Sequence, residues 1–153
     1  MAFTTKNYIK NTASYIREGK GTETDPYLIY NQSDLNQVRN SLNAHYKIMN
    51  DITLSGTWTP IQNFTGSLDG NGKTIKGLYI STGSICKLSN GSTVSCAGLF
   101  GSTKETVTIK NLTLENVSVT GSGNTGALVG YSTGTLNISN VVTTGTITST
   151  GNY

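Results

Sequence analysis

Two unrelated motifs in the second half of the chain recur at the same displacement. Leu99-Phe100-Gly101 returns as Leu128-Val129-Gly130, and Thr108-Ile109-Lys110-Asn111-Leu112 returns as Asn137-Ile138-Ser139-Asn140-Val141, each 29 residues later (128 − 99 and 138 − 109). A fixed period of about 20 to 50 residues marks a solenoid or a propeller. A propeller blade needs about 40 residues in four antiparallel strands, so the shorter unit fits one coil of a β-helix better. The expected fold class is all-β: a right-handed parallel β-helix (solenoid) of a few coils, stacked about 4.8 Å apart.

A third copy is read at Thr74-Ile75-Lys76-Gly77-Leu78, 34 residues before the Ile109 copy (109 − 75), the excess being assigned to an insertion over 81–96. This alignment gives a structural ladder. Ile75, Ile109 and Ile138 point inward at one level, and Leu78, Leu112 and Val141 at another. Between them Asn111 and Asn140 suit left-handed corners, where each amide can bond to its neighbour one coil away, and Gly77 suits the same corner.

The 153 residues allow one domain with a modest core, and with only 12% charged residues neither charged helices nor a charged disordered tail is supported over most of the chain. The net charge of +3 arises partly from Lys6, Lys10, Arg17 and Lys20 rather than from a basic stripe along the repeats, so no nucleic acid partner is expected. No apolar run approaches the roughly 18 residues of a spanning helix, and the first 20 residues lack the apolar core of a signal peptide. No membrane insertion and no export signal are expected of the chain as given. It is read either as part of a larger exported protein or as one made and assembled in a cytosol, as virion proteins are.

Residues 1–20 form an N-terminal arm or leader with a weak helical stripe, Tyr8, Ile9, Thr12, Tyr15 and Ile16, and 21–153 form the β-helix domain. Asp25 and Pro26 lead into a strand through Tyr27, Leu28 and Ile29. A capping helix over about 33–42 follows, with Ser33 as N-cap and Leu35, Val38 and Leu42 on one face. Short strands are expected at 46–49, 52–54, 58–61 and 64–68. Cys86 and Cys96 flank an Asn90-Gly91 turn, and a loop of residues 90–92 would set them opposite each other in a projecting hairpin. A disulfide there requires an oxidising compartment; two free thiols are the alternative.

Gly98-Leu99-Phe100-Gly101 and Ala127-Leu128-Val129-Gly130 resemble the GLUG-type repeats of bacterial surface proteins. Asp25-Pro26-Tyr27-Leu28-Ile29, Tyr46-Lys47-Ile48-Met49-Asn50-Asp51-Ile52, Trp58-Thr59-Pro60-Ile61 and the run from Phe64 to Ile75 are similar to the leading coils of such modules, and the resemblance covers roughly 19–151. It implies a fold more than an activity: adhesins, non-catalytic parts of large exported proteins including some proteases, and phage tail β-helices as relatives in fold.

Parallel β-helices also host lyases and glycoside hydrolases, which need two carboxyls about 5 to 9.5 Å apart. The acids are few, and Glu105 and Glu115 have Gly134 and Thr144 at the repeat positions, so no acid ladder forms. Asp51 and Asp69 are the candidate catalytic pair if the chain is an enzyme, although Asp69-Gly70-Asn71-Gly72 also reads as a turn. His45, the single histidine, has no Cys or Ser elbow beside it in sequence and is placed at a surface corner or capping the first coil, with no metal set. Trp58 is the residue that could stack on a sugar, and its place before Thr59-Pro60-Ile61 fits packing against the capping helix. Six sequons are expected by chance, and Thr143 to Thr150 do not make the regular array of an ice-binding face.

The reading is a non-catalytic β-helix module of a surface or virion protein, extracellular, without cofactors or metal. It serves as a structural spacer, with attachment to a host or cell-surface glycan or protein as a further role. A polysaccharide-processing β-helix enzyme is the alternative. Because the chain ends at Thr150-Gly151-Asn152-Tyr153 without a capping helix, the last coil is expected to leave an edge open to further repeats, a virion protein or self-association.

Overall fold

A computed structural model describes residues 18–88 and 90–151; the stripe expected between Tyr8 and Ile16 lies outside them. The elements are β1 (Tyr27–Ile29), α1 (Gln32–Asn36) continued by a 3-10 turn (Gln37–Asn40), β2 (His45–Ile48), β3 (Ile52–Thr53), β4 (Ser67–Lys76), β5 (Tyr79–Ile80), β6 (Ser84–Lys87), β7 (Thr93–Ala97), β8 (Phe100–Thr103), β9 (Thr106–Gly121), β10 (Asn124–Thr125), β11 (Val129–Ser132) and β12 (Thr135–Ser149). Among the described residues the protein is all-β apart from that one helical segment.

The largest sheet runs β1-β2-β4-β9-β12, in chain order and parallel at every step. Parallel neighbours need long crossovers. Here the crossovers carry strands of their own, because β8 pairs in parallel with β11, and β7 with β10.

The burial pattern of β9 shows how one sequence both runs as strand and turns. Val107 and Ile109, Leu112 and Leu114, and Val117 and Val119 are buried, so the two-residue alternation is interrupted twice by one extra residue. Asn111 and Asn116 occupy those interruptions, both at φ 55. Each left-handed residue bends the strand and resets the alternation, so the next apolar pair still faces inward. Asn140 repeats the device in β12 at φ 51.

The period of 29 is observed as register: Ile109 faces Ile138, Leu112 faces Val141, and Phe100 faces Val129. The earlier ladder needs correction. Ile75 lies beside Leu114, not Ile109, while Ile109 is opposed by Leu68. Leu78 accepts from the Ser118 N–H, on the rung of Val117 rather than Leu112. The true displacement is therefore 41 residues (109 − 68) at one end of the strand and 39 (114 − 75) at the other. Extra residues after Asp69, around Asn71 at φ 53, disguise the match. Gly77 correspondingly bonds at Glu115 and shares the Asn116 corner, not that of Asn111.

The core is a stack of aliphatics with a file of aromatic rings through the early layers. Ring centroids are 5.7 Å apart for Tyr27 and Tyr46, 6.2 Å for Tyr46 and Phe64, and 4.6 Å for Phe64 and Phe100. Leu35 and Val38 are fully buried against this core, with Leu42 packed alongside. The helix starts two residues earlier than expected: Asn31, not Ser33, is the N-cap. Its Oδ1 accepts from the Asp34 N–H at 2.9 Å while Asp34 Oδ2 accepts from the Tyr30 N–H at 3.0 Å, satisfying two helix-end donors reciprocally.

Cys86 and Cys96 are joined, with Cα atoms 5.9 Å apart. The hairpin register differs from that expected, however. Cys86 faces Val94 and Cys96 faces Ser84, so the disulfide runs diagonally. The turn is closed by Leu88 N–H to Ser92 O, with Gly91 at φ 81 and Asn90 Oδ1 accepting from the Ser92 N–H. Glycine just before the closing Ser92 supplies the left-handed position such turns require, which moves the turn one residue earlier than expected.

The disulfide explains one glycine of the repeat. A Cβ on Gly101 would come within 2.9 Å of Cys96 Sγ and Pro60 Cβ, and 3.1 Å of Cys86 Sγ. At the far end, among the described residues β12 pairs with β9 alone, and Ile138 and Ile147 are 50% and 47% exposed although their partners Ile109 and Val119 are buried.

Candidate functional site

With Tyr46, Leu68 and Ile109 pointing inward, their chain neighbours must point outward. The outward rows are Leu28, Lys47, Asp69 and Lys110, and beside them His45, Ser67 and Thr108, all consecutive register partners. With residues 23–26 and Met49 they bound a cleft of about 540 Å³. Lys110 Nζ is 3.7 Å from Asp69 Oδ2, and His45 Nδ1 and Ser67 Oγ are hydrogen bonded at 2.7 Å.

The His45–Ser67 pair invites comparison with an activated nucleophile. Such a serine needs a base oriented by a third group. Among the described residues no carboxylate bonds the His45 ring. The two residues are direct cross-strand partners, so register alone brings their side chains together. The pair is a polar rung of the sheet. Sequence reasoning placed His45 at a corner or cap, whereas it lies on β2 in the cleft; the alternation His45-Tyr46-Lys47 was the available signal.

The candidate acids are engaged structurally. Asp51 Oδ1 accepts from the Thr74 N–H at 2.9 Å, fastening the turn before β3 to β4. Asp69 Oδ1 accepts from the Asn71 N–H at 2.8 Å and from Asn111 Nδ2 at 3.2 Å. Only Asp69 lines the cleft, so the two do not face each other across it.

Trp58 is 4% exposed, and its indole N–H donates to the Leu99 carbonyl at 3.0 Å. The Arg39 guanidinium lies 5.6 Å from the ring centroid and donates to the Thr59 carbonyl at 2.9 Å. Burial holds that guanidinium below its ordinary pKa. The ring is packed in the core and lies beneath a cation from the helical segment, the arrangement that packing against the capping helix expects. Among the described residues no group of three or more His, Cys, Asp or Glu is placed to hold a metal, and no helix is long and apolar enough to cross a membrane.

The fold matches that of a solved structure from Bacteroides ovatus described as a "putative immunoglobulin A1 protease", with a TM-score of 0.65 over 83% of this chain and 40% of that one. At 21% identity this shows a shared fold alone. No family model matches the chain. In sequence the chain is 38% identical over 150 residues to "Halomucin" of Haloquadratum walsbyi, covering 85% of the chain. It is 33% identical over 135 residues to a "Putative Gly-rich membrane protein" of Evansella cellulosilytica, covering 80%. It spans 2% and 14% of the lengths of these relatives, so it corresponds to a small segment of each.

Proposed function

We propose that the chain is a right-handed parallel β-helix module of GLUG-repeat type in a surface protein, non-catalytic, acting as a rigid spacer whose outward cleft attaches to a cell-surface glycan or protein. The carrying observation is that both acids singled out as a candidate catalytic pair are committed to the scaffold. Asp51 holds a backbone N–H, and Asp69 anchors the asparagine corners. The parallel strands of the main sheet, stacked in chain order, support this reading, and the right hand is what the chirality of parallel crossovers favours. A Cys86–Cys96 disulfide fits an oxidising, extracellular setting. The names of the two similar proteins, one a membrane protein and one carrying the word mucin, agree with a surface location.

The cleft keeps one alternative in view, a polysaccharide-processing enzyme using Asp69. The test is a panel of neutral and acidic polysaccharides incubated with the protein, read by reducing ends and by absorbance of unsaturated products, beside glycan-array binding. Binding without turnover, weakened by Lys47→Ala or Lys110→Ala, is expected. Turnover abolished by Asp69→Asn would overturn the non-catalytic reading.

A further inference from the structure

The polarity of the asparagine ladder identifies what the open face of β12 accepts. Asp69, as a carboxylate, only accepts. Asn111 must therefore turn its Nδ2 donor toward Asp69, at 3.2 Å, which leaves its Oδ1 facing the next layer. Asn140 then has to donate, and its Nδ2 lies 3.1 Å from Asn111 Oδ1. The direction follows from Asp69 and not from which amide atom is drawn as oxygen. At the end of the ladder Asn140 presents an acceptor outward.

Around that acceptor, β12 repeats the inward positions of β9. Leu136, Ile138, Val141 and Ile147 stand over Val107, Ile109, Leu112 and Val119. The β9 set is buried, whereas Ile138 and Ile147 are about half exposed, and among the described residues no strand pairs with the outer edge of β12. A two-fold dimer through this face would run two β12 strands antiparallel and set the acceptor ends of both ladders toward the same interface. That arrangement leaves the acceptors without donors, and unsatisfied buried polar groups are costly.

We infer that the β12 face is a directional docking surface for another coil of the same repeat, running parallel to β12, with aliphatics over Ile138 and Ile147 and an amide donor over Asn140. This rests on the stacked-coil reading above and extends the β9–β12 interface by one layer.

The experiment replaces residues 152–153 with a second copy of 123–151 and compares three chains by hydrogen exchange and light scattering: the original, the extended chain, and the extended chain with Asp at the added copy of Asn140. Protection of the outer-edge amides of β12 should rise about 100-fold in the extended chain, as they pass from edge to interior. Most of that gain should be lost with Asp, which sets acceptor against acceptor. Unchanged β12 exchange in the extended chain, equal protection by the Asp version, or a dimer of the original chain that itself protects β12 would each overturn the inference. Failure of the stacked-coil reading is distinguishable, since β9 amides bonded to β4 would then be unprotected even in the original chain.

Discussion

Asn111 meets two separate demands. Its backbone sits at φ 55, and its side chain donates to Asp69 while accepting from Asn140. Asn111→Ala should cost about 2 to 3 kcal/mol in chemical denaturation, the sum of a left-handed penalty and lost hydrogen bonds. Asn111→Gly keeps the backbone and should cost about 1 kcal/mol; equal losses for the two would show that the ladder and not the corner carries the effect. Gly101→Val drives a side chain into the disulfide and Pro60, and should destabilise by about 1 to 3 kcal/mol. Trp58→Phe keeps most of the packing and removes one of the two donors to the Leu99 carbonyl, which retains the Ile61 N–H at 3.1 Å, so the cost should be about 0.5 to 1.5 kcal/mol, read the same way. The Lys76–Glu115 pair, 3.3 Å apart with both side chains well exposed, is by contrast expected to be nearly silent on Lys76→Gln.

At the level of elements, the hairpin of β6 and β7 lies between β5 and β8 in the chain; the disulfide links its two strands to each other, and it is held to the rest by β7 pairing with β10 and by Gln62 Nε2 donating to the Ile85 carbonyl. Reduction of the disulfide should loosen it locally. About 3 kcal/mol is the upper expectation for a loop of this size, and exchange of amides in β4 and β9 should stay unchanged; a global loss of their protection would show that the hairpin is part of the folding core. Asn31→Ala should cost about 1 kcal/mol through the lost N-cap, visible in thermal melts. These elements also mark what the sequence could disclose. The 29-residue period was readable because two motifs moved together, and the pairings of Ile109 with Ile138 and Asn111 with Asn140 follow from it. The earlier rung was not readable, since Ile75-Lys76-Gly77-Leu78 mimics the repeat in side-chain type while the hydrogen-bonded partner of Ile109 is Leu68. Side-chain resemblance cannot reveal where a strand takes up extra residues, and the residues after Asp69 do so silently. The cleft was missed for a related reason: its residues come from four strands, and no local motif joins Lys47 to Lys110.

Across the whole molecule, each layer of the main sheet touches only the layers beside it, so stability should grade along the stack. Hydrogen exchange is expected to be slowest in β4 and β9, which are paired on both sides, and fastest along the outer edge of β12; uniform protection would mean a single all-or-none unit. The same order of strands bears on force. The hydrogen bonds of the main sheet run from layer to layer, along the line in which tension on a tethered spacer would act. A stretched module would then peel from β12 inward, one layer per event, rather than shear as a block. Pulling in an atomic force microscope should show a first extension near the length of the 29-residue layer between β9 and β12, about 100 Å at 3.3–3.6 Å per residue, before the longer layer that holds the disulfide gives way. Such a spacer would yield gradually and re-form as load falls, behaving as a shock absorber.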